Sequence, residues 1–109
     1  FKPLADKGIL ELPTIPAGCV HNAHMFYLKC KDLETRQAYI QFMKKNDILC
    51  VFHYVPLHSA PAGLKFGRFA GEDEHTTPDS DSLVRLPMYY NLAEEDIRKV
   101  IDKTLEFFE

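Results

Sequence analysis

Two imidazoles and a phenol stand within six residues at His53-Tyr54-Val55-Pro56-Leu57-His58, where an apolar run breaks at a proline. Histidine exchanges protons or holds anions near neutral pH, and tyrosine sets a hydroxyl on an apolar ring. His53, Tyr54 and His58 could therefore orient a polar substrate by hydrogen bonds. Strand ends that feed loops are where such groups usually act. The same residue types also fit a plainer arrangement, with His53 a satisfied, partly buried strand residue and His58 in solvent.

Other groups carry weaker signals. Cys19, His21 and His24 offer three borderline metal ligands within six residues, but the spacing is not that of a zinc finger and no second ligand pair follows, so they read as ordinary loop residues. Lys65, between Phe66 and Leu64, could act as a Schiff-base lysine only if desolvated, and its glycine-flanked setting reads as a loop. Glu72, Asp73 and Glu74 lack the glycine turn and terminal glutamate of a calcium loop and read as a solvated tip. The chain contains no GxGxxG, no GxxxxGK[ST] and no nucleophile elbow. From these residues no catalytic, cofactor-binding or metal-binding position is assigned.

The elements that must position the histidine loop follow from periodicity. Residues 1–23 carry Pro3, Pro13 and Pro16 with Gly8 and Gly18, which excludes a long helix or central strand and reads as a linker or wrapping arm. His24 to Lys31 alternates as a strand. Asp32 is placed to cap a helix through Lys45 that closes at Asn46 in a left-handed conformation. Ile48 to Val55 is apolar on both faces, as for a strand covered above and below. The stretch 57–78 reads as a long irregular loop. Thr77 or Asp79 could cap a short helix through Arg85. Leu86 to Tyr90 reads as a brief strand that Pro87 confines to an edge. Ile97, Val100, Ile101, Leu105 and Phe108 mark a terminal amphipathic helix, capped poorly at Ala93 or else at Asn91. The sum is an α+β fold, a small three-stranded sheet with helices packed on one face.

A chain of 109 residues makes one core. With 46% hydrophobic and 27% charged residues it is of globular composition. A net charge of −3, with Lys and Arg scattered, argues against nucleic acid as partner. No apolar run approaches the roughly 20 residues of a membrane span. Three cysteines without a CxxC pair fit free thiols and a cytoplasmic setting. The opening at Phe1 and the proline-rich start fit a chain cut from a longer protein.

The stretches HNAHMFYLK (21–29), VFHYVPLHSAPAG (51–63), GEDEHTTPDSDSLVRLP (71–87) and MYYNL (88–92) together resemble the carboxy-terminal domain of the DegT/DnrJ/EryC1/StrS aminotransferases, and HYVPLH is the most specific part. The resemblance implies a fold-type I enzyme dependent on pyridoxal phosphate. Its large domain would carry the lysine and the phosphate cup, and 24–109 would be the small domain reached by the arm 1–23. It further implies a nucleotide sugar and glutamate as substrates, a homodimeric parent and a role in cell-surface polysaccharide synthesis. His53, Tyr54 and His58 would face the substrate. The chain alone is expected to hold no cofactor and to be inactive. The rival expectation is a small non-catalytic ligand-binding or regulatory α+β module.

Overall fold

The computed structural model describes residues 1–109 and turns three short apolar segments into an antiparallel sheet. These are β1 (Tyr27–Lys29), β2 (Val51–Phe52) and β3 (Leu83–Arg85), ordered β1-β3-β2. Leu28 and Phe52 both pair with Val84. Side chains alternate across a strand, so one parity points inward: Leu28, Cys30, Ile48, Cys50, Val84 and Leu86 are all buried. Burying each such aliphatic side chain contributes roughly 1.5–3 kcal/mol.

The helices are α1 (Lys2–Asp6), α2 (Leu33–Lys45), α3 (Pro61–Phe66), α4 (Thr76–Ser82) and α5 (Glu94–Phe108). Asp32 caps α2, accepting from the Thr35 backbone N–H at 2.8 Å. Tyr39 and Met43 of α2 and Val100 and Thr104 of α5 are buried with the inward face of the sheet. The Thr104 hydroxyl donates to the Val100 carbonyl at 2.7 Å, so the Tyr39 hydroxyl, also 2.7 Å away, is left as the donor to Thr104. Tyr39 also stacks on Phe108, with centroids 5.4 Å apart. The result is the expected α+β architecture, with the helical layer over one face.

Several local expectations need correction. Ile48 to Val55 is covered on one face only: Ile48 and Cys50 are buried while Leu49 is 76% exposed, because no element of the chain lies over the second face. Only Val51–Phe52 is regular strand. The third strand is Leu83–Arg85, not 86–90, and it is central. Pro87 has no N–H to pair, so the ladder ends with Leu86, which donates to the Phe26 carbonyl. The short helix accordingly stops at Ser82, not Arg85. The left-handed residue after α2 is Asp47 (φ 60°), while Asn46 (φ −101°) instead donates from its side chain to the Phe42 carbonyl. Ala93 occupies the cap position of α5 with no side-chain acceptor, and Asn91 does not replace it. The stretch 57–78 is not irregular throughout, since it holds a 3-10 turn at Leu57–Ser59 and all of α3.

The arm is anchored at its start. Leu4 and Leu10 are buried in the common core, and Glu11 bridges to Lys29 of β1 through two backbone hydrogen bonds. Residues 1–12 therefore pack on the same core as the sheet.

Candidate functional site

The site is built where β2 runs out. His53 follows the strand, and Tyr54 turns the chain with a positive φ of 65°. A bulky residue there is strained, and such positions persist only where the surroundings hold them. The holding contact is the Ser80 hydroxyl of α4, which donates to the Tyr54 carbonyl. The His53 and Tyr54 rings lie 4.5 Å apart. His53 is half-buried with its Nδ1 sealed and unpartnered, whereas Tyr54 is 67% exposed. Both rings line a concavity of about 320 Å³ against Asp79 and Ser80 of α4.

Past Pro56 the 3-10 turn carries His58 in another direction. Its Nε2 lies 2.8 Å from Asp73 Oδ2 and 3.3 Å from Thr77 Oγ1, and its ring packs 4.4 Å from Phe69. Asp73 accepts from both the backbone N–H and the hydroxyl of Thr77. The Thr77 hydroxyl bond first, then the Thr77 backbone N–H and the neighbouring His58, hold the Asp73 carboxyl below the usual carboxylate range. His58 lines a separate concavity of about 570 Å³ with Leu57, Phe66, Arg68 and Phe69. The chain thus brings His53 and Tyr54 together and places His58 across the start of α4, where Thr76 borders both concavities.

Gly63 of α3 fixes this arrangement. A Cβ built there would lie 1.6 Å from the Leu57 carbonyl oxygen, so only glycine lets α3 close on the turn that carries His58. Asp73 was readable only as part of an acidic tip; its bond to His58 joins residues distant in sequence, and no local spacing signals it. Arg36, which lines a third groove of about 630 Å³ with Tyr54 and Ser80, was not singled out either.

The remaining candidates do not converge. The His21 imidazole accepts from the Ala23 N–H, His24 pairs with the Asn22 side chain, and Cys19 is exposed. No group of three metal-ligating side chains is assembled. Lys65 is exposed, its ammonium 5.0 Å from the Phe66 ring. Lys29 is drawn the opposite way from a reactive amine: its bond to Asp79 raises its pKa and keeps it charged. The residues present therefore do not by themselves fit a lysine-anchored carbonyl cofactor such as pyridoxal phosphate.

Comparison with known proteins settles the family. Residues 2–105 match the model of the DegT/DnrJ/EryC1/StrS aminotransferase family. The chain belongs to that family. Among curated relatives, a protein described as a pleiotropic regulatory protein of Geobacillus stearothermophilus is 25% identical over 99% of the chain. The structure of DesV from S. venezuelae superposes with a TM-score of 0.85 at 23% identity over 99% of the chain. That of NtdA from Bacillus subtilis, which holds bound cofactor PMP, superposes with a TM-score of 0.79 at 21% identity over 98%. These structural likenesses are of fold. The chain spans only 29% of the curated relative, 29% of DesV and 25% of NtdA.

Proposed function

We propose that this chain is the carboxy-terminal small domain of a pyridoxal-phosphate-dependent sugar aminotransferase. Residues 1–23 are the arm from a large domain, and 24–109 are the small domain it reaches. The parent converts a dTDP-4-keto-6-deoxyhexose to the 4-amino sugar with glutamate as donor. The motif string HYVPLH resembles most the transaminase that makes dTDP-4-amino-4,6-dideoxygalactose, which fits cell-surface polysaccharide synthesis of the lipopolysaccharide, O-antigen or enterobacterial common antigen type. The parent acts in the cytoplasm as a homodimer.

The observation that carries this reading is the pairing of a family match across residues 2–105 with coverage of less than a third of each relative. Pyridoxal phosphate would supply the electron sink, and this chain supplies a wall of hydrogen-bonding groups. Tyr54 and His53 bind and orient the sugar nucleotide or the amino donor from one side of α4. His58, held by Asp73, does so from the other.

In the full-length protein, Tyr54→Ala and His58→Ala lower kcat/KM for the sugar about tenfold each, the worth of one hydrogen bond of about 1.4 kcal/mol, while bound-cofactor absorbance is kept. Wild-type kinetics in both variants would falsify the assignment of this loop. The 109-residue chain mixed with pyridoxal phosphate, glutamate and the keto sugar makes no amino sugar, and turnover by the chain alone contradicts the division of labour.

A second reading draws on the relative described as a pleiotropic regulatory protein. Under it the chain is part of a non-catalytic ligand-binding or regulatory protein. Failure of the full-length protein to transaminate any keto sugar, with retained ligand binding, favours that reading.

A further inference from the structure

The groove between α2, the turn after β2 and α4 holds a cation without a counter-charge. Arg36 is only 6% exposed, and its Nε and Nη1 are buried with no hydrogen-bond partner. Its guanidinium carbon lies 4.8 Å from the Phe52 ring centroid. A cation–π contact offsets only part of the cost of burying an ion. Asp81 lines the same groove, yet none of the chain's ion pairs includes Arg36. Arginine does not shed its proton, so an anion brought to the groove would relieve the imbalance.

Two observations say what kind of anion. The rim is apolar and open, with Leu33, Phe52, Tyr54 and Val55 all exposed. The chain as a whole exposes 8106 Å², whereas a monomer of 12.6 kDa exposes about 6,200 Å² by area scaling. A small free anion would satisfy the guanidinium and leave that rim in water; a docked polypeptide segment covers both.

We propose that this groove seats an aspartate or glutamate side chain carried by a part of the parent polypeptide outside residues 1–109, and that Arg36 is its receptor. This rests on the reading that the chain is one domain of a longer aminotransferase. The carboxylate accepts from the guanidinium while the backbone around it lies on Phe52 and Val55. The contact closes the side of the Tyr54 turn that faces α2.

The test is a structure of the full-length protein together with one mutational cycle. The expected result is a carboxylate oxygen from outside residues 1–109 within 4 Å of the Arg36 guanidinium. Arg36→Met then lowers the full-length Tm by at least about 4 °C. Replacing that partner carboxylate by its amide lowers Tm similarly in the wild type and no further in the Arg36→Met background, while Asp81→Asn has no effect. A guanidinium paired with Asp81, facing solvent or holding only a free anion overturns the proposal, as does full additivity of the two substitutions. Transaminase activity in the same preparation separates the outcomes: an active full-length enzyme with an unpaired Arg36 defeats the docking proposal alone, and an inactive one defeats the parent reading.

Discussion

At the scale of residues, the histidine loop works through partners that lie outside it. Asp73 holds His58, and the Thr77 bonds hold Asp73. Because the folded Asp73 carboxyl titrates below its usual range, its contribution to stability is present above the unfolded value of about 3.9 and is lost as pH falls through the lower folded value. Denaturation of wild type and Asp73→Asn across acid pH should show a stability gap at pH 6 that closes below about pH 3.9; a gap constant with pH would contradict the assignment. Thiol chemistry separates the three cysteines in the same way. Burial pushes Cys30 up to about 11 and Cys50 up to about 12, so neither forms thiolate at neutral pH, while Cys19 is exposed. A thiol reagent under native conditions should label Cys19 and spare Cys30 and Cys50 until the protein is unfolded. Tyr39→Phe removes one buried hydrogen bond, a cost of about 1 kcal/mol read by denaturant titration, whereas Tyr39→Ala should cost about 3–5 kcal/mol by emptying the centre of the core.

At the scale of elements, the turn that carries His58 depends on a missing side chain. Gly63→Ala places a methyl on the Leu57 carbonyl, so α3 and the 3-10 turn must separate. The expected outcome is loss of the His58–Asp73 contact, seen as changed imidazole resonances, with the sheet signals unmoved. Asp32→Ala should cost about 1 kcal/mol and Ala93→Ser should add up to about 1 kcal/mol, because the first removes a working cap and the second supplies an absent one. These caps show what was legible in the sequence. Asp32 and the i, i+3, i+4 rhythm of 97–108 are local signals, and both helices lie where they predict. The sheet was harder, because apolar character at both parities of 48–55 predicts a strand covered on both faces, whereas Leu49, Val51 and Val55 are exposed. The swap of 86–90 for Leu83–Arg85 has a similar origin. Pro87 correctly marks where pairing stops, but which strand becomes central depends on β1 and β2, both more than thirty residues away. Within the site, the neighbours His53 and Tyr54 could be read from their spacing. Asp73 and Arg36 could not, since their importance lies in one long-range bond and in one missing partner.

At the scale of the whole molecule, the open surface is the dominant fact. Leu49 and Val51 on the bare sheet face, Phe66 on α3 and Phe69 beside His58 are all exposed, which together with the Arg36 groove is the kind of apolar surface that marks interaction sites. The chain spans less than a third of the length of the relatives it matches, and on the proposed reading the rest of the parent polypeptide covers these residues. None of its helices is long and apolar enough to cross a membrane. On the reading proposed above, these residues orient and enclose, and the reactive amine lies outside residues 1–109. Borohydride reduction of the full-length protein loaded with pyridoxal phosphate, followed by peptide mapping, tests this most directly. The account predicts a single modified lysine outside residues 1–109. Modification of Lys29 or Lys65, or no modified lysine at all, would contradict it.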